Sequence, residues 1–99
     1  FSIAEIMELE SLGFAGKGEG AEFISSGVAN IGGKLPINTS GGLKACGHPF
    51  AATGVRQAIE CFAQLNNLAG KRQVRDAKYA LAQSLSGTGA ASVVNIFSG

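Results

Sequence analysis

The apolar and polar positions fall into segments of different period. Residues 2–12 place Ile3, Ile6, Met7 and either Leu9 or Glu10 at helical spacing. Ser2 and Glu5 form the S-x-x-E pattern of a helix start, and Gly13 follows as a stop signal. Residues 13–33 hold seven glycines and read as loop, with a short helical turn near 21–25. Residues 35–38 (Leu-Pro-Ile-Asn) predict a short strand, kept by Pro36 at an edge or at its start. Ser40-Gly41-Gly42 is a turn. From Pro49, a residue favoured at the first helical position, Ala52, Val55, Ala58/Ile59, Phe62 and Leu65 trace an apolar stripe. They predict a long amphipathic helix to about residue 68, ending before Gly70. Ala51, Ala52, Gly54 and Ala58 make its first half slim, which permits close approach of another backbone. Residues 71–78 form a polar connector carrying most of the positive charge. Residues 79–85 and 91–97 predict two strands around a tight Ser86-Gly87-Thr88-Gly89 turn. Val93, Val94, Ile96 and Phe97 are apolar on both faces, as in a strand buried on both sides. The order of elements is that of an α/β chain ending in a β-hairpin.

Composition narrows the function classes. The chain has 99 residues, enough for one small domain and too few for a (β/α)₈ barrel. A net charge of +1 removes the main electrostatic argument for nucleic acid. No apolar run approaches the ~18 residues of a transmembrane helix, and no signal-peptide pattern opens the chain. Charged residues make up 15%, against a usual ~25%, and there are 15 glycines. That balance suggests a piece meant to be covered by other protein. The start at Phe1, directly before a helix signal, is read as a cut at a helix entrance. Cys46 and Cys61 fit no CxxC pattern, and one histidine is too few for a His-rich metal site, so no metal is expected. The two are read as reduced thiols of an intracellular protein, cytoplasmic or in an organelle; a disulfide between them is the alternative.

Three motifs bear on chemistry. Residues 16–21 match G-x-G-x-x-A, but a helix precedes them where a dinucleotide fingerprint needs a strand, so they are read as flexible loop. Ser84, Ser86 and His48 raise serine hydrolysis, yet no G-x-S-x-G elbow is present. The informative stretch is Asn38-Thr39-Ser40-Gly41-Gly42-Leu43-Lys44-Ala45-Cys46-Gly47-His48-Pro49. Its glycines let backbone approach a ligand closely. The field of a following helix N-terminus favours a neutral, donating imidazole at His48. Such a ring stabilises an oxyanion or takes a proton from a thiol. The plainer alternative is a helix-capping histidine among structural glycines.

Residues 38–57, NTSGGLKACGHPFAATGVRQ, resemble the thiolase signature N-x-x-G-G-x-x-x-x-G-H-P-x-x-x-[ST]-G. FSIAEIMELESLGFAGKGEGAEF resembles the segment after the family's N-E-A-F or H-D-x-F motif, and LAQSLSGTGAASVVNIF its terminal hairpin. GEG, IGGKLPIN and GKRQVRDAKYALAQ are nearest the acetyl-CoA acetyltransferase and sterol-carrier-protein-type branch. The resemblance implies an α/β thiolase-like C-terminal half spanning residues 1–99, incomplete at its N-terminal edge. It implies a mixed sheet packed on helices and ending in the hairpin, from a body of two similar halves in five layers.

It also implies acyl transfer on a coenzyme A thioester as substrate, with no covalently bound cofactor. A cysteine of the N-terminal half would be acylated. His48 would activate that thiol and contribute to an oxyanion hole, flanked by Gly47 and Pro49 at the substrate. Phe1 matches the last residue of N-E-A-F. Ser84 stands where the family's C-x-G cysteine would move the α-proton, with Ser86 in place of its glycine and Gly87 at the turn. A hydroxyl is a far poorer proton shuttle than a thiol, whose ordinary pKa is ~8.5. Cys46 matches no family nucleophile. Implied partners are acyl-CoA, the N-terminal half and further copies in a homo-oligomer. Alone, the chain is expected to be inactive. The alternatives are a noncatalytic subunit or interaction module pairing with a nucleophile-bearing chain, and a lipid carrier.

Overall fold

The computed structural model describes residues 2–99, so Phe1 and its motif match lie outside the described residues. The chain forms two compact units, 2–37 and 38–99, each taken by itself below.

In the first unit, α1 (Ser2–Ser11) packs against the short α2 (Gly20–Ser25). Leu9 is buried, whereas Ile3 and Met7 of the same stripe are exposed. The chain leaves α1 through Gly13, at φ +80°, where Phe14 and Ala15 both donate to the Leu9 carbonyl. The G-x-G-x-x-A segment has a packing role rather than that of a slack loop. The Glu10 carboxylate accepts the Gly20 N–H at 3.1 Å. Backbone N–H groups of Gly18 and Gly20 hold the Glu10 carboxyl below its ordinary range. A Cβ at Gly20 would lie 2.8 Å from both Ile6 Cγ2 and the Ile6 carbonyl. Gly20→Ala is therefore expected to destabilise this unit by about 1–3 kcal/mol despite alanine's better helix propensity, read as a lowered urea midpoint.

The strand expected at 35–38 does not form. Leu35 donates to the Val28 carbonyl and Ile37 to that of Ala29. Pro36 between them has no N–H to extend a ladder, and Asn38 at φ +49° turns the chain away.

The second unit carries α3 (Gly42–Cys46), α4 (Thr53–Leu65), a 3-10 turn (Gly70–Arg72), β1 (Tyr79–Ser86) and β2 (Ala91–Ser98). The hairpin is antiparallel, pairing Tyr79 with Ser98 and Ser86 with Ala91. Helix and hairpin are as the sequence predicts, with different ends. Regular helix starts at Thr53 rather than Pro49, because Ala52 and Thr53 both donate to the Pro49 carbonyl in a preceding turn. It stops at Leu65 because Asn67 adopts φ +57° and Leu68 N–H returns to the Ala63 carbonyl, a Schellman closure. The turn expected at Ser40-Gly41-Gly42 leads into α3, which the sequence does not predict, since its five residues are too few to show a period.

α4 packs on β1, with Cys61 and Ala82 buried. Its apolar stripe does not face inward. Val55, Ile59 and Phe62 are each about 60% exposed, while Thr53, Cys61 and Gln64 are buried. No atom lies within 4 Å of a Cβ built on Gly54, so the slim face of α4 is also uncovered. The two-sided burial expected of β2 is likewise absent. Val93, Val94 and Ile96 are exposed, because β2 is an edge strand of a two-stranded sheet. Among the described residues no helix is long and apolar enough to cross a membrane.

Candidate functional site

His48 sits between α3 and α4, and its position is fixed by backbone on both sides. Gly41 opens α3 at φ +92°, where a Cβ would lie 2.5 Å from that of Ala45. Gly47 closes it with φ +77° and ψ 177°, a conformation open essentially to glycine alone, while donating to the Leu43 carbonyl at 2.8 Å. The imidazole Nδ1 lies 2.8 Å from Thr53 Oγ1, the first residue of α4. Thr53 Oγ1 is 3.1 Å from the Pro49 carbonyl and is 4% exposed. The imidazole also meets the Phe50 ring edge to face at a centroid distance of 5.0 Å.

The loop before α3 is tied to α4 further along the face that carries Thr53. Thr39 donates to Glu60 Oε1 at 3.1 Å. Gln64, buried on the same helix, donates to Thr39 Oγ1, to Glu60 and, at 2.8 Å, to the Arg72 carbonyl. Its Oε1 accepts the Val74 N–H at 2.8 Å. Arg72 completes the cluster with a bidentate hold on Glu60, Nε donating to Oε1 at 2.9 Å and Nη2 lying 2.9 Å from Oε2. None of Thr39, Glu60, Gln64 or Arg72 was singled out from the sequence, because nothing in the spacing of 39, 60, 64 and 72 shows that they meet.

The Arg72 guanidinium holds the Glu60 carboxyl below its ordinary value of 4.5, against burial, with help from Gln64 and Thr39. A depressed carboxyl stabilises the fold above that ordinary value and loses the contribution as pH falls through its folded value. The unit 38–99 should therefore weaken below about pH 4.5, and Glu60→Gln should flatten that acid limb in urea titrations across pH.

Both cysteines are free, Cys46 exposed and Cys61 buried. Burial and the charge of Glu60 push the Cys61 thiol up, away from nucleophilic use. Cys46 Sγ reaches only the Ser40 carbonyl, at 3.5 Å. Among the described residues no cluster of three or more His, Cys, Asp or Glu could hold a metal.

Gly47, His48 and Pro49 are contiguous and ordered by Thr53. Ser84 lies on β1 opposite Val93, and Gly87, at φ +55°, sits in the hairpin turn. No hydrogen bond among the described residues joins His48 to Ser84 or to that turn. A depression of about 280 Å³ in this unit is lined by Leu65, Ala77, Lys78, Tyr79, Ser98 and Gly99. It contains none of the predicted site residues; His48 is on open surface.

Residues 1–99 match the family described as thiolase C-terminal domain-like. The chain belongs to the thiolase C-terminal domain family. It is 49% identical to an acetyl-CoA acetyltransferase of Methanothermobacter thermautotrophicus over 98 residues, covering 99% of this chain and 26% of that protein. It is 46% identical to human sterol carrier protein 2, covering 98% of this chain and 18% of the relative. It is 40% identical to a non-specific lipid-transfer protein-like 2 of Caenorhabditis elegans, covering 98% and 23%. This thiolase C-terminal domain thus spans between about a quarter and a fifth of the length of the curated relatives it matches.

Proposed function

We propose that this thiolase C-terminal domain supplies the histidine half of an acyl-CoA acyltransferase site, within a longer protein whose other half carries the nucleophile. The observation that supports this reading most is the ordered Gly47-His48-Pro49 loop, with an imidazole anchored by one ring nitrogen and exposed to solvent. In the proposed reaction His48 accepts the proton of a cysteine thiol outside this chain. The thiolate attacks the thioester carbonyl and the carbonyl π pair moves to oxygen. The imidazolium N–H then donates to that oxyanion. Collapse expels the coenzyme A thiolate, which takes the proton, and leaves an acyl-cysteine. Gly47 and Pro49 shape the backbone beside the acyl group, and Gly87 lets the hairpin turn close over it. In the carbon–carbon step Ser84 occupies the proton-transfer position, where its hydroxyl is a weak substitute for a thiol.

Neither Cys46 nor Cys61 has the setting of a nucleophile, so the isolated chain should show no coenzyme-A-dependent cleavage of acetoacetyl-CoA. Cleavage by the purified chain alone, abolished by His48→Ala, would overturn the division of the site between two halves.

A second reading is favoured by one specific observation. Val55, Ile59 and Phe62 on α4 and Val93, Val94 and Ile96 on β2 are exposed together in a chain of low charge. On that reading the domain is a noncatalytic module that pairs with another chain or a further copy. The lipid names of two relatives raise carriage as well. Fluorescent acyl-CoA binding that displaces no better than free fatty acid would favour carriage; acyl-CoA selectivity would favour the transferase.

A further inference from the structure

His48, Thr53 and Pro49 form a three-atom arrangement that the proposed chemistry has not yet used. Thr53 Oγ1 is 2.8 Å from His48 Nδ1 and 3.1 Å from the Pro49 carbonyl oxygen. A threonine hydroxyl has one hydrogen and the carbonyl has none. If the hydroxyl donated to Nδ1, the contact with Pro49 would hold two oxygens with no hydrogen between them. Only one assignment places a hydrogen in both contacts: Nδ1–H donates to Thr53 Oγ1, and Thr53 O–H donates to the Pro49 carbonyl.

We infer that Thr53 is a positioning residue that holds His48 in the Nδ1–H tautomer, leaving Nε2 as the open acceptor. This rests on the proposed acyl transfer for its consequence and not for its geometry. The chain is local and rigid. Thr53 is buried at the first residue of α4, its bond to Pro49 is the i→i−4 back-bond of a helical threonine, and Pro49 has a fixed φ. The Gly47 conformation and the Phe50 ring edge set the imidazole from its other sides. Nε2 is then the nitrogen with no partner among the described residues, and in the Nδ1–H form it is a base. Once it takes a proton, the same Thr53 oxygen still accepts Nδ1–H, so the imidazolium keeps its partner without reorganisation. His48 thereby changes from acceptor to oxyanion donor at one atom, while Thr53 never moves. The spacing H-P-x-x-x-T is the sequence trace of this contact: four residues from proline to threonine is one helical turn.

The test is the imidazole nitrogen spectrum of His48 in the complete protein, labelled with ¹⁵N-histidine and assigned with His48→Gln. At a pH of about 9, well above the ordinary imidazole range, Nδ1 should show the protonated, pyrrole-type shift and Nε2 the pyridine-type shift. Thr53→Val should move the ring toward the Nε2–H form and lower kcat about tenfold to a hundredfold with KM little changed. Thr53→Ser, which keeps the hydroxyl, should restore the shifts and most of kcat. An Nε2–H tautomer in the unmodified protein overturns the inference, even if Thr53→Val fails to fold. So does a folded Thr53→Val with both shifts unchanged. Loss of the tautomer pattern with acyltransferase activity intact would sink this inference alone. The predicted tautomer in a protein without acyltransferase activity would sink the proposed function and leave the positioning role standing.

Discussion

Replacing His48 with alanine in the complete protein is expected to lower kcat/KM for coenzyme-A-dependent acetoacetyl-CoA cleavage by about 10²–10⁴, the range for a lost general base or acid. Stability should change by less than about 0.5 kcal/mol, because the imidazole is exposed and makes a single hydrogen bond. The Thr53 hydroxyl released by the change still has the Pro49 carbonyl at 3.1 Å. The two readouts separate chemistry from folding. A steep loss of activity with an unchanged urea midpoint assigns His48 to the reaction. Near-normal activity would return His48 to the plainer reading of a loop histidine held by Thr53.

The second large effect is structural and lies further along the same buried face of α4. Gln64 is 6% exposed, and its side-chain amide joins Thr39, Glu60, Arg72 and Val74. Gln64→Ala would orphan the Val74 N–H and the Arg72 carbonyl and leave space where the amide was. With about 1–3 kcal/mol for each unsatisfied buried group, a loss of about 3 kcal/mol is expected. At about 1.4 kcal/mol per decade, the Val74 amide should exchange its hydrogen roughly a hundredfold faster in the complete protein. Gln64→Glu keeps the acceptor for Val74 but loses the amide donors and adds charge beside Glu60, so it should not rescue. An exchange rate within about threefold of the unmodified protein would show that water replaces the amide there at little cost.

Periodicity carried much of the fold and stopped where the physics stopped being local. The 2–12 helix was legible from its period, and the 79–85 and 91–97 strands from short apolar runs on either side of a Ser-Gly-Thr-Gly turn. α3 was not, with five residues and three glycines around it. The Pro49 signal marked the right turn but the wrong first helical residue, since proline's fixed φ suits a preceding turn as well as a helix. The larger departures are instructive. The stripe of Val55, Ile59 and Phe62 and the two apolar faces of β2 predicted buried surface, and this chain leaves both exposed. Binary pattern records what a segment is built to be covered by, and the cover need not lie in the same 99 residues.

The site was legible in a different way. Gly47, His48 and Pro49 stood out by residue type and by resemblance to the thiolase signature, and the structure gives the loop a definite shape through Gly47 and Thr53. The Glu60–Gln64–Arg72 cluster was silent in the sequence because its members come together through helix packing and a following turn. Ser84 remains apart from His48 on the hairpin, with no hydrogen bond between them to support a shared role.

The most direct test of the divided site is to trap the acyl-enzyme. The complete protein is incubated with labelled acetyl-CoA, quenched in acid and digested, and the label is mapped by mass spectrometry. The account predicts an acetyl group on a cysteine outside residues 1–99, strongly reduced in His48→Ala. An acetyl group on Cys46 or Cys61, or labelling undiminished by His48→Ala, would contradict it.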